Sequence, residues 1–289
     1  MAKILSVGIA TLDIINEVET YPLENQEIRA LNQVKCRGGN AANTAVVLSQ
    51  LGHHCSWAGT LADETDTQTI LDDFNALKVN TDFCEILPEG KIPTSYITLN
   101  KSNGTRTIIH YRNLPEYSFT SFRKIKLSAF DWIHFEGRNV SETVQMMQYS
   151  KKFYSEIPIS LEVEKPRKNI EQLLAIADYI IFSKPYALSQ GYVSAQELLI
   201  SMKKQFPYKT LVCAWGEKGA LACKNNQILS QNAFIPDTVV DTLGAGDVFN
   251  AGIIHQLLAH ADISAALLFA CRLAGKKCAA KGLENLTIN

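Results

Sequence analysis

Residues 239–252 read VVDTLGAGDVFNAG, from Val239 to Gly252. The pattern predicts a short apolar strand running into Gly244-Ala245-Gly246. A helix should follow, with apolar residues at 248, 249, 253, 254, 257 and 258. A glycine-rich turn that opens a helix presents backbone N–H groups without intrahelical acceptors, and the helix dipole adds positive potential. That combination binds anions such as phosphate, and glycine lets the backbone approach the ligand with no Cβ between them. Asp247 falls in the first turn, where the dipole favours an ionised carboxylate able to accept a proton from a substrate hydroxyl. The local pattern fits a helix-capping aspartate equally well. An anion cradle with an acid at its edge is what favours chemistry.

The same alternation extends outward through the chain. Strands are expected at Lys3 to Gly8, Cys55 to Leu61, Trp132 to Phe135, Ile159 to Val163, Tyr179 to Ser183 and Thr210 to Ala214. Helical spacing occupies Asn40 to Leu51, Thr67 to Leu77, 141–154, 169–177 and 194–205. Strand–helix alternation of this kind predicts a mostly parallel sheet covered by helices on both faces. Two regions break it. Residues 14–36 and 93–113 hold short strand-like pieces, and Asn103-Gly104 is a strong hairpin turn between Ser95 to Leu99 and Thr105 to His110. They are expected to form a small second sheet whose uncovered edges suit a partner subunit.

A second glycine turn, Arg37-Gly38-Gly39-Asn40-Ala41-Ala42-Asn43, also precedes a helix. Asn40 and Asn43, three apart, share one helix face. Two amides there suit a polyhydroxylated ligand, though an N-cap and a solvated face would read the same. Asp13, just beyond the first strand, lies where a parallel sheet places its ligand crevice. There is no G-x-x-x-x-G-K-[ST], and Phe249 breaks G-x-G-x-x-G, so neither a P-loop nor a dinucleotide fingerprint is present.

Composition narrows the classes. The 289 residues carry 28 Lys+Arg and 29 Asp+Glu, a net charge of -1, which gives no electrostatic footprint for nucleic acid or an anionic membrane. Hydrophobic residues are 46% and charged residues 20%, as in a globular chain with a core. No apolar run approaches the roughly 20 residues of a membrane span. The run Ile4 to Leu12 after Lys3 ends at Asp13 and reads as a first strand, not a signal sequence. Seven cysteines, an odd number without a C-x-x-C pair, and six histidines without H-E-x-x-H argue against disulfides and zinc. Buried thiols in a reducing cytoplasm are expected.

GGN near the N-terminus followed by DTLGAGD two hundred residues later resembles the paired signatures of the ribokinase-like carbohydrate kinase family. SNGTRTI (102–108), WIHFEGRN (132–139), LEVEKPR (161–167), CAWGEKGA (213–220) and AGKKC (274–278) are similar to its ketohexose-phosphorylating branch, and the similarity runs from Asp13 to Cys278. The resemblance implies one domain over 1–289. Its fold would be a Rossmann-like three-layer, ribokinase-type α/β fold with a mostly parallel central sheet, a small β-sheet lid and a homodimer formed through the lids. Asp13, Asn25, Gly39, Asn40 and Asn43 would hold the sugar, and Asp247 would be the base. Gly244, Ala245 and Gly246 would form the anion hole. Arg106 would reach the ATP phosphates. Lys184, Gly216, Glu217, Lys218, Gly219 and Cys278 would serve the nucleotide. ATP and Mg²⁺ are implied, and K⁺ is admitted as an activator. Glu136 and Glu164, each after an expected strand, are candidates to hold the waters of Mg²⁺, or are plain solvated turn residues.

Two places depart from the family. Ser183-Lys184-Pro185-Tyr186 stands where much of the family has Asn-x-x-Glu, a motif that helps organise Mg²⁺ and phosphate. Asn25 stands after Tyr21-Pro22 where the ketose-specific branch has an aspartate. An uncharged amide there both donates and accepts, which bears on sugar choice. The expected reaction is ATP-dependent phosphorylation of fructose at C1. A sister kinase for another sugar or a nucleoside, and a non-catalytic binder on the same fold, are the alternatives.

Overall fold

Ile4-Leu5-Ser6-Val7 forms the heart of the first strand, and its side chains alternate between two apolar layers. Leu5 and Val7 enter one buried cluster, Ile4 the other. The computed structural model describes residues 1–286. Its strands are β1 (Lys3–Val7), β2 (Thr11–Val18), β3 (Asn32–Gly38), β4 (His54–Ala58), β5 (Thr60–Ala62), β6 (Glu85–Leu87), β7 (Thr94–Asn100), β8 (Arg106–Tyr111), β9 (Trp132–Glu136), β10 (Ile159–Val163), β11 (Tyr179–Phe182), β12 (Thr210–Ala214), β13 (Ala220–Lys224) and β14 (Gln227–Gln231). The helices are α1 (Asn40–Gln50), α2 (Thr65–Ala76), α3 (Phe119–Phe122), α4 (Val140–Phe153), α5 (Glu171–Ile176), α6 (Lys184–Ser189), α7 (Ala195–Gln205), α8 (Ala245–Leu258) and α9 (Ile263–Cys278).

The main sheet has the order β14-β13-β12-β11-β10-β9-β1-β4. From β12 to β4 neighbouring strands run parallel, and β13 and β14 are antiparallel additions. One face packs on α4 to α7 through residues such as Met146, Leu173 and Leu198. The other packs on α1, α8 and α9 through Val46, Ile254 and Ala270. This is the expected three-layer α/β architecture.

A second sheet, β3-β2-β7-β8, stands apart from the first. Its pairing puts Cys36, Asp13, Ser95 and His110 in one row across four strands. Two residues along β2, Val34, Ile15, Ile97 and Ile108 form the next row of that face. Asn103-Gly104 makes the hairpin turn, with Gly104 N–H bonded to Asn100 O at 2.8 Å. Every residue of β8 is exposed.

Three expectations are corrected. Cys55 to Leu61 is not one strand. It breaks at Gly59, where a Cβ would lie 2.1 Å from the Trp57 ring, and β5 joins β6 in a separate two-stranded sheet. Val239-Val240 forms no strand. Val240 N–H instead bonds the Cys278 carbonyl at the end of α9, at 2.8 Å, and both valines are exposed. Asp13 lies within β2 of the second sheet, not in a turn after β1, because the chain re-enters extended pairing at Thr11.

The seven cysteines are all free thiols, four of them buried. Burial pushes the thiols of Cys36 and Cys271 up to about 11. Among the described residues no helix is long and apolar enough to cross a membrane.

Candidate active site

Two helix N-termini, more than two hundred residues apart in sequence, open side by side. Gly39 caps α1 with φ 98°, and a Cβ there would lie 2.4 Å from Ile9 O, so the turn after β3 admits glycine alone. The turn aims Asn40 toward Glu162 and buries Asn43. Arg37 Nη1 donates to Asn43 Oδ1 at 2.6 Å, while Arg37 Nε pairs with Asp73 Oδ2 at 2.5 Å. A guanidinium has only donors, so the Asn43 oxygen must face it and the Asn43 nitrogen must face away. That nitrogen donates to Asp247 Oδ2 at 2.6 Å.

Gly244 caps α8 in the left-handed region, φ 78°, and a Cβ on it would meet Leu283 at 3.1 Å and Asn43 Nδ2 at 3.6 Å. The first-turn N–H groups of Ala245, Gly246 and Asp247 are those a helix leaves without intrahelical acceptors. A Cβ on Gly246 would meet nothing within 4 Å, so this turn borders open space. A glycine turn that opens a helix with a carboxylate in its first turn is therefore present, with Ala245 N–H bonded to Thr242 O at 3.3 Å. Asp247 is harder to ionise than the helix dipole alone would make it. Burial raises its pKa from the ordinary carboxylate value, Glu164 and Glu136 raise it further, and the Asn43 hydrogen bond and Arg37 only partly oppose them. Desolvation outweighs the helix dipole because the dipole's worth is at most about 2 kcal/mol, whereas burying a charge costs more.

Asp13 joins this group through Gly38, whose ideal Cβ position falls 2.1 Å from Asp13 Oδ2. Thr11 Oγ1 donates to Asp13 Oδ1 at 2.8 Å. Burial raises the Asp13 pKa, and hydrogen bonds from Thr11 and Ser95, then Arg37, oppose that rise.

Glu162 was not singled out from the sequence. It lies in the middle of β10, in register with Glu136, and accepts from Asn40 Nδ2 at 3.2 Å. Its Oε2 is buried without a well-formed hydrogen bond, with the Asn250 amide beside it. Burial, then the negative charges of Asp247, Glu136 and Glu164, raise its pKa well above the ordinary value. A charged residue inside a fully buried strand was the available signal. Glu136 is less free than expected: Oε2 accepts from Ile9 N–H at 3.0 Å and Oε1 from Arg138 at 3.1 Å. Glu164 pairs with Lys165 at 3.3 Å. Among the described residues no group of three His, Cys, Asp or Glu side chains is arranged to hold a metal ion directly. The buried Glu162 oxygen and the Asp247 carboxylate are hard oxygen donors, a chemistry that fits a hydrated Mg²⁺ carried by nucleotide phosphates.

The residues expected to serve the nucleotide fall on the neighbouring rim. Lys184, at the start of α6, donates to Glu217 Oε1 at 2.9 Å, which draws it to the turn Gly216–Lys218. That contact holds the Glu217 pKa below its ordinary value. Gly219 closes the turn with φ 88°. Arg106, on β8 of the second sheet, reaches across to the turn before α8, donating from Nη1 to Thr242 Oγ1 at 3.2 Å. Cys278 is placed by its carbonyl, which accepts from Val240 and Asp241 N–H. Asn25 is not brought to this group. It stands exposed in the 19–31 connection with φ 61°, and no described hydrogen bond links it to residues 13, 39, 40, 43 or 247.

The sequence pattern of the pfkB family carbohydrate kinases matches residues 1–288. The chain is 41% identical over 293 residues to the ketohexokinase of Mus musculus, covering 98% of both chains. It is 25% identical over 278 residues to the ribokinase of Bacillus subtilis strain 168, covering 95% of this chain and 92% of that one. In fold it resembles the Arabidopsis thaliana ribokinase solved with ribose and ATP. The TM-score is 0.80 at 20% identity, over 97% of this chain and 94% of that one.

Proposed function

We propose, from the premise that this chain belongs to the pfkB family of carbohydrate kinases and is an ATP-dependent sugar kinase, that its reaction is fructose plus ATP to fructose 1-phosphate plus ADP. The observation that carries the reading is the buried pair Asn43–Asp247 at the mouth of the Gly244 turn. The identity to the mouse ketohexokinase over nearly the whole of both chains supports the ketose substrate.

The Asn43 amide holds one oxygen of Asp247 and leaves the other for the sugar hydroxyl. Asp247 accepts the hydroxyl proton as the new oxygen–phosphorus bond forms and the bond to the ADP oxygen breaks. The first-turn amides of α8 stabilise charge on the transferred phosphoryl group, where preorganised donors act most strongly. Asp13, Asn40 and Asn43 hold the sugar, Arg106 the phosphates, and Lys184 with Gly216–Gly219 the nucleotide. Cys278 borders that nucleotide rim. Mg²⁺ on the ATP phosphates supplies charge neutralisation. Glu162 and Glu164 would accept hydrogen bonds from its waters, since both Glu136 oxygens already accept from Ile9 and Arg138. K⁺ activation is proposed on family resemblance alone.

We read residues 14–36 and 93–113 as a lid inserted in a single domain. Lid closure excludes water that would otherwise take the phosphoryl group. The exposed β8, with Ile109 69% accessible and Tyr96 beside it, gives a surface for a second copy of this chain. Free thiols and balanced charge suit a cytoplasmic enzyme. An ADP-release screen over fructose, ribose and nucleosides tests the substrate. Fast turnover of ribose with none of fructose would assign the chain to a sister kinase. Calorimetric binding of fructose and ATP without ADP formation would make it a binder.

A further inference from the structure

Lys277, in the last turn of α9, is a lysine with 0% of its side chain exposed. Lysine is almost never fully buried unless its charge is matched. All three ammonium protons are used. Nζ donates to Asp241 Oδ2 at 2.7 Å, to Asp241 O at 3.0 Å and to Ala280 O at 3.2 Å. The Asp241 carboxylate is a hub in turn. Its Oδ1 accepts from Leu243 N–H at 2.8 Å, and its Oδ2 also accepts from Gly282 N–H at 3.2 Å. One cation thus ties together the end of α9, the segment that enters the Gly244 turn, and residues 280–282. The helix end and the entering segment are zipped a second time through the Cys278 carbonyl. Burying an ammonium is expensive, and an apolar side chain would fill the same space at lower cost. The charge is concentrated three residues before the turn whose amides face the transferred phosphoryl group.

We propose that Lys277 is a positioning residue for phosphoryl transfer: its ammonium clamps Asp241 and Ala280 and thereby fixes the turn 242–246 that carries the anion-binding amides. It touches no substrate. It acts through Asp241, and the proposal rests on the kinase reading of that turn. Preorganised donors work only when held within a few tenths of an ångström, so loosening the clamp costs turnover rather than sugar binding. Asp13 lies on β2 and Asn40 on α1, and Asn43 is held from behind by Arg37, so the sugar-binding side chains have supports apart from the clamp.

The test compares Lys277→Met and Lys277→Ala with the wild type. It measures kcat, sugar Kd by calorimetry and thermal midpoint. Both variants should lose at least about tenfold in kcat with sugar Kd within about twofold. In Lys277→Ala, n-propylammonium replaces the deleted atoms and should restore a large part of kcat, whereas propan-1-ol, of similar size without charge, should not. A kcat within about twofold of wild type in Lys277→Met overturns the proposal. Equal rescue by propan-1-ol, or no rescue in a folded Lys277→Ala, leaves only a packing role and overturns it as well. Should neither variant fold, Asp241→Asn removes the clamp's negative half from its partly exposed end and is judged by the same split of kcat against Kd. An inactive wild type removes the kinase reading and this inference together. An active wild type with indifferent variants removes only this inference.

Discussion

Asn43 Nδ2 lies 2.6 Å from Asp247 Oδ2, joining residues 204 positions apart in a buried hydrogen bond. The bond joins the first turns of α1 and α8, so the Asn40 and Asn43 side chains and the Gly244 turn share one mouth. Asn43 is held from behind by Arg37, which fixes which amide atom points at the carboxylate. Arg37, Asn43 and Asp247 therefore form one hydrogen-bonded chain.

Replacing Asp247 by Asn keeps the contact to Asn43, because the amide oxygen still accepts, but removes the proton acceptor. Turnover should fall by about 10²-fold or more with sugar Kd nearly unchanged. Stability should move the other way. A carboxyl whose folded pKa lies above its unfolded value stabilises the fold while protonated and loses that contribution as pH rises through the folded pKa. Asp247 is raised in this way, so its ionised form is a burden at alkaline pH. The thermal midpoint of Asp247→Asn, relative to wild type, should rise from pH 5 to about pH 9. Near-normal activity in the variant would exclude Asp247 as the base.

The same raised pKa places an acid limb in the pH profile of kcat/KM well above the ordinary aspartate value of about 3.9. Glu164 is the first electrostatic contributor after burial and the Asn43 hydrogen bond, and it acts to raise Asp247. Glu164→Gln should move the limb toward lower pH. Because Glu164 is partly exposed, added salt should shift the wild-type limb in the same direction. A limb that stays fixed in both experiments would show that Glu164 does not act on Asp247.

Arg106 hydrogen-bonds Thr242 in the turn before α8 and is carried by the edge strand β8 of the second sheet. Arg106→Ala should raise the KM for ATP by about tenfold while leaving the sugar KM within about twofold. An unchanged ATP response would remove Arg106 from the phosphate site.

Ile109 is 69% exposed on β8, the open edge of the second sheet. A charge at that position should repel a second copy while leaving the α/β core alone. Light scattering of Ile109→Glu should give the monomer mass where wild type gives the dimer. A wild-type monomer at micromolar concentration would refute assembly through the lids.

Much of the fold was readable from spacing. Ile159–Val163 and Thr210–Ala214 form strands with the predicted bounds, and α1 and α8 begin at the glycine turns. Periods of two and of 3.6 residues are local properties, and a glycine that no Cβ can replace marks its turn directly. The hairpin β13–β14 escaped notice. Its turn is Asn225-Asn226, both in the left-handed region without a glycine to announce it. The second sheet is legible as a break in alternation, but the place of Asp13 inside a strand is not, because the re-entry of the chain at Thr11 depends on pairing with β3 and β7.

By itself, then, the sequence determined the alternation of strands and helices, the two glycine turns and the acid beside one of them, because each is written in neighbouring residues. Only the tertiary structure decided that Asn43 meets Asp247, that Glu162 sits buried among carboxylates, and that Lys277 is sealed against Asp241. It also set the pKa of Asp247 above the ordinary carboxylate value, through burial. Burial and charge proximity are sums over segments far apart in the chain, and no local pattern contains them.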